Sequence, residues 1–163
     1  MTAVYITAAA VASTVIILAA IYLYLTAPRL RHPAFPEFSG LFAHRGLFDV
    51  ESPHLRPENS LAAFSNAVCR GYGIELDLHL SRDGELVVFH DDNLHRVCGI
   101  NKNISDFTAD ELHRIKLYSG DQYIPRFSEV TEITAGQVPL IVELKCPPGQ
   151  QIEPLCRSAA EAL

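Results

Sequence analysis

Two short runs concentrate side chains able to hold a divalent cation. In Ile74-Glu75-Leu76-Asp77-Leu78-His79-Leu80, polar and apolar residues alternate. Alternate side chains of a strand share a face, so Glu75, Asp77 and His79 point one way and the apolar residues the other. Adjacent carboxylates repel unless something neutralises them, and a divalent metal does that well. A solvated face on an edge strand fits the same alternation. Val142-Glu143-Leu144-Lys145 repeats it, with Glu143 and Lys145 on one face at the end of an apolar run. Three carboxylates form a hard oxygen set suited to Mg2+ or Ca2+ rather than zinc. Lys145 is suited to a substrate phosphate; a salt bridge to Glu143 or Glu75 is its alternative.

His44-Arg45-Gly46 follows a short apolar run, and His90-Asp91 follows another. Histidine exchanges protons near neutral pH, so His44 and His90 on separate strands could serve as general base and general acid. The planar fork of Arg45 matches phosphate oxygens, and Gly46 would let the backbone approach a ligand. His32, His54, His95 and His113 fall in linker, loop or helix contexts and receive no role. Two histidines, three carboxylates, an arginine and a lysine form the set needed to bind a phosphodiester, balance its charge and move a proton.

Strand ends must position these groups. Leu41 to Ala43 reads as a first strand running into His44. Pro57-Glu58-Asn59-Ser60 opens a helix capped by Asn59 or Ser60, with Leu61, Phe64, Ala67 and Val68 on its apolar face. Ile74 to Leu80 and Leu86 to Phe89 read as strands joined through Asp83-Gly84, a turn signal. Ser105 or Thr108 caps a helix predicted through Leu117, Phe127 to about Thr134 is a second, Val138 to Leu144 is a strand and Ile152 to Leu163 a helix. This alternation predicts an α/β architecture with a largely parallel sheet, in which function gathers at the C-terminal strand ends.

The chain has 163 residues and a net charge of −6 without a basic stripe, which argues against nucleic acid as a partner. Its cysteines, Cys69, Cys98, Cys146 and Cys156, lack a zinc-finger spacing and outline no disulfide framework. From Ala3 to Leu25 no residue is charged. This predicts a transmembrane helix over 1–26, since about 20 apolar residues span the hydrocarbon core; a cleaved signal peptide is its competitor. Arg29 and Arg31 follow directly, so the positive-inside rule predicts a cytoplasmic C-terminal domain. The proline-containing stretch 27–40 reads as a linker, and 41–163 as the folded domain.

The order of motifs resembles the glycerophosphodiester phosphodiesterase family: His44-Arg45-Gly46, Pro57-Glu58-Asn59-Ser60, Glu75-Leu76-Asp77, Asp83-Gly84, His90-Asp91 and Glu143-Leu144-Lys145, with Ile124-Pro125-Arg126-Phe127 similar to a further family run. The resemblance implies a TIM barrel and hydrolysis of glycerophosphodiesters, such as glycerophosphocholine, to glycerol 3-phosphate and an alcohol in phospholipid metabolism. It implies His44 and His90 as the acid–base pair, Glu75, Asp77 and Glu143 as ligands to Mg2+ or Ca2+, Arg45 and Lys145 on the phosphate, and Glu58 at the rim. Such a barrel typically needs about 250 residues. Only the first half of one is therefore expected, in a fragment weakly active or inactive alone. A lysophospholipase D and an inactive membrane-tethered scaffold are the competing readings.

Overall fold

The computed structural model describes residues 2–26 and 40–163, and within the first segment the side chains of 11–25. The chain divides into two units, Met1–Glu37 and Phe38–Leu163. The first carries helix α1 (Thr2–Thr26). Among the described residues no helix is long and apolar enough to cross a membrane, so the expected anchor finds no support there. Apart from Gly40, the expected linker, with Arg29 and Arg31, lies outside the described residues.

The second unit is built on β2 (Gly73–Leu80). Ile74 pairs in parallel with both Ala43 of β1 (Phe42–His44) and Leu140 of β4 (Leu140–Leu144), so these strands flank β2 on opposite edges. β3 (Leu86–Val88) folds back antiparallel on Leu78–Leu80. The register sets His44 opposite Glu75 and Asp77 opposite Glu143, bringing the polar strand ends to one level. The predicted parallel α/β layout therefore holds.

Helices α2 (Leu61–Cys69), α5 (Phe127–Thr134) and α6 (Ile152–Ala162) cover the apolar face of the sheet. Phe64 and Ala67 of α2, Phe127 and Val130 of α5 and Leu155 and Ala159 of α6 share one core with Ile74, Leu76 and Leu78. The stretch after β3 has its own core, in which Val87, Phe89, Leu94, Val97, Ile104, Leu112, Leu117 and Ile124 meet. It contains α3 (His95–Cys98) and α4 (Ala109–Leu112).

Thr108 caps α4 as one of the two expected residues, but the helix stops at Leu112 instead of reaching Leu117. The backbone of Leu117 instead bonds to Gln122, and Ile124 bonds back to Ile115, a turn that buries Leu117 and Ile124 together. The four-residue α3 was not predicted from periodicity, which needs more turns than it has.

The face bearing Glu75 and Asp77 is not a solvated edge. Asp77 and His79 are 1% and 2% exposed. On β4 the same face opens to solvent at Ile141 and Glu143.

Candidate active site

Immediately after β1 the chain turns sharply. Arg45 has φ 58° and Gly46 φ 79°, and Gly46 N–H bonds to Ala43 O. The turn aims Arg45 N–H at Glu75 Oε2, 3.0 Å away. Gly46 serves packing rather than ligand approach: a Cβ there would lie 2.9 Å from Ala63 Cβ and from Phe64 Cδ1 of α2.

Of the two cap candidates, Ser60 takes the role and accepts from Ala63 N–H. Asn59 is thereby released, with φ 53° and its N–H on Arg45 O. Its side-chain amide donates to Asp77 Oδ2 at 2.8 Å. Glu58, buried, accepts from Arg45 Nη1 through Oε2 at 3.0 Å and from Arg96 Nη2 through Oε1.

One ligand oxygen each of Glu75, Asp77 and Glu143 lies within 4.8 Å of the others, which makes this trio a candidate metal site. Lys145 Nζ stands 2.7 Å from Glu143 Oε1 and 3.1 Å from Asp77 Oδ1. The expected salt-bridge alternative therefore involves Glu143 and Asp77, not Glu75. Burial pulls the Lys145 ammonium down, but these two carboxylates outweigh it and hold its pKa above the ordinary value.

The donor set fits a divalent cation. Asp77 Oδ1 is buried and accepts no hydrogen bond; Lys145 approaches it as an ion pair without hydrogen-bond alignment. Arg45 Nη1 is engaged by Glu58, and its Nε makes no hydrogen bond although Asp77 Oδ2 is 3.8 Å away. Three carboxylates thus face chiefly one ammonium, an excess of negative charge that a hard cation relieves.

His44 is mostly exposed, with Nε2 3.9 Å from Glu75 Oε2. His90 is half-buried, and its Nδ1 pairs with Asp91 Oδ1 at 2.5 Å. An ionised carboxylate only accepts, so Nδ1 carries the proton and Nε2 is left for chemistry. Phe89 N–H on Asp77 O ties this strand end to β2. His79 lies under it, Nε2 3.4 Å from His90 O, and burial holds its pKa below the ordinary value.

The structure thus joins Arg45, Glu58, Glu75, Asp77, Glu143, Lys145 and His44 in one network, and His90 enters it through Asp91 and Arg96. Sequence reasoning missed three members. Asn59 had a signal, because two cap candidates stood where one suffices. Arg96 and Tyr118 had none, since only the turns after β3 bring them to the rim. An open cleft of about 400 Å³ beside Gly84, Phe127 and Ser158 contains none of these residues.

Known proteins resemble this chain in sequence and fold. The model of the glycerophosphoryl diester phosphodiesterase family matches residues 44–162. A glycerophosphodiester phosphodiesterase of Bacillus altitudinis is 33% identical over 112 residues, covering 64% of this chain and 44% of that protein. A human lysophospholipase D is 50% identical over 56 residues, 34% of this chain and 18% of that protein. Among solved structures, an Oleispira antarctica phosphodiesterase in complex with the product sn-glycerol-3-phosphate superposes with a TM-score of 0.64 at 31% identity, covering 76% of this chain and 51% of that one. The glycerophosphodiester phosphodiesterase of Thermotoga maritima gives 0.56 at 33% identity, covering 78% and 49%. The chain spans about half the length of these full-domain relatives. With the family model matching most of the chain and the fold superposing on solved members, the chain belongs to the glycerophosphoryl diester phosphodiesterase family.

Proposed function

We propose that this chain carries the catalytic half-site of a metal-dependent glycerophosphodiester hydrolase yielding glycerol 3-phosphate and an alcohol. The observation that carries the proposal is the trio Glu75, Asp77 and Glu143 beside Arg45 and Lys145, with a histidine at the end of β1 and another after β3. Glu75, Asp77 and Glu143 would hold Mg2+ or Ca2+, which supplies Lewis-acid stabilisation of phosphoryl charge. Arg45 and Lys145 bind the phosphate oxygens, and Glu58 fixes the Arg45 fork. One histidine takes the proton from the substrate's own glycerol hydroxyl as that oxygen attacks phosphorus. The other protonates the departing alcohol oxygen. Water then opens the cyclic phosphate to glycerol 3-phosphate. The exposed side of β4 leaves the site wet, which weakens each electrostatic contribution, so the turnover expected of this chain is weak. The test is metal-dependent release of glycerol 3-phosphate from glycerophosphocholine, lost in H44A and H90A.

The similarity to a human lysophospholipase D favours a second reading in which the substrate is a lysophospholipid. Faster turnover of lysophosphatidylcholine than of glycerophosphocholine would select it. Metal binding without turnover of either would select the scaffold reading.

A membrane tether over 1–26 is a separate proposal. Its supports are the uncharged run Ala3 to Leu25 and the exposed side chains of Val15, Ile16, Leu18 and Leu23. Arg29 and Arg31 favour a cytoplasmic site. Release of the chain from membranes by alkaline carbonate would contradict the tether, and protease protection in vesicles reads the orientation.

A further inference from the structure

We propose that Arg96 is a positioning residue that couples the second histidine to the phosphate-binding arginine, holding Asp91 against His90 and Glu58 against Arg45. For its catalytic consequence this rests on the phosphodiesterase reading; for its geometric one it does not.

The guanidinium spends every face on this task. Nε donates to Asp91 Oδ2 at 2.6 Å and Nη2 to Asp91 Oδ1 at 3.0 Å, the bidentate fork that fixes a carboxylate in direction as well as place. Nη2 also reaches Glu58 Oε1, and Nη1 donates to Tyr118 OH at 3.0 Å. Asp91 Oδ1 is the atom that pairs with His90 Nδ1, and Glu58 Oε2 the one that accepts from Arg45. One side chain therefore orients the partner of the second histidine and the partner of the phosphate-binding arginine. A lysine could not reproduce this, because its ammonium lacks the planar fork.

Backbone strain is gathered at the far end of the contact. Tyr118 (φ 47°) and Ser119 (φ 57°) are consecutive left-handed residues without being glycine. Such residues persist only where surrounding structure enforces them. Here they turn the chain so that the Tyr118 hydroxyl meets Arg96.

The charged and titratable groups around the Asp91–His90 pair are Arg96 of α3, Glu58 and Tyr118 through Arg96, Asp92 on the same loop, and His79 of β2 beneath the His90 carbonyl. Burial raises the Asp91 pKa, but Arg96 and His90 together overcome it and hold the carboxyl below its ordinary value. Without Arg96, Asp91 keeps His90 as a partner but loses the fork that fixes its direction, so its hold on the Nδ1–H tautomer of His90 weakens.

The test is nuclear magnetic resonance of the full chain in detergent micelles, reading the Asp91 carboxyl titration and the His90 ring tautomer in wild type, R96Q, R96K and Y118F. In R96Q the Asp91 midpoint rises towards the ordinary carboxylate range and the Nδ1–H tautomer of His90 loses its dominance. R96K keeps the charge, so its midpoint moves less while the tautomer is still mixed; Y118F shifts both in the same direction by less. Wild-type values for both readouts in a folded R96Q overturn the proposal, as do wild-type values in R96K and Y118F if R96Q does not fold. In a turnover assay R96K lowers kcat more than it raises KM. Absent turnover together with the spectroscopic shifts would sink the phosphodiesterase reading and leave this one standing.

Discussion

Asn59 donates its side-chain amide to Asp77 Oδ2 across 2.8 Å, and each residue is 1% exposed. Asp77 is the central carboxylate of the candidate metal site, so an amide just before α2 holds that carboxylate on β2 in place. N59A leaves Asp77 Oδ2 without that donor and should destabilise the fold by about 1–3 kcal/mol. Chemical denaturation measures this, and an unchanged midpoint contradicts it.

Gly46 makes a second demand. Its φ of 79° and the 2.9 Å approach of Ala63 and Phe64 leave no space for a methyl group. G46A should cost at least about 2 kcal/mol, combining left-handed strain with overpacking against α2. Because the displaced backbone carries Arg45 N–H away from Glu75, metal affinity should fall as well. Denaturation and calorimetric titration of the same variant check the two effects separately.

Much of this site was legible beforehand. Alternation in Ile74–Leu80 and Val142–Lys145 located the carboxylates because period two is a local property of a strand. The register that sets Asp77 opposite Glu143 is a tertiary property and could only be seen in the sheet. The wrong extent of the helix after Thr108 has the same origin: a turn, not a continuous helix, buries Leu117 beside Leu112. Gly46 was legible as a special position, yet its reason lies in the close approach of α2. Arg96 stayed invisible because the partners of an arginine are set by folding rather than spacing.

Metal binding should be measurable without turnover. At a free concentration one hundred times its Kd, Mg2+ or Ca2+ adds about 2.7 kcal/mol to stability if it binds only the folded chain. E143Q should weaken this thermal shift and D77N should remove it. Equal shifts in wild type and D77N would place the ion elsewhere.

His79 adds a pH dependence of defined sign. Burial lowers its folded pKa beneath the ordinary 6.5. Between the two values the unfolded chain binds a proton that the folded chain refuses, so stability rises with pH there. The contribution is complete above 6.5 and is lost as pH falls through the lowered folded value. Denaturation midpoints across this window should slope less in H79Q than in wild type; parallel slopes would contradict the assignment.

The proposed role of the cluster at the strand ends is metal-dependent phosphodiester hydrolysis. Release of sn-glycerol 3-phosphate from glycerophosphocholine by the purified chain, measured with Mg2+ or Ca2+ and again after EDTA, tests it most directly. Weak release is expected, abolished by EDTA, restored by returning the metal, and lowered at least about a hundredfold in H44A and in H90A, the loss that follows removal of a general acid or base. Release that persists in EDTA, or no release above the level of the H44A/H90A double variant, would contradict it.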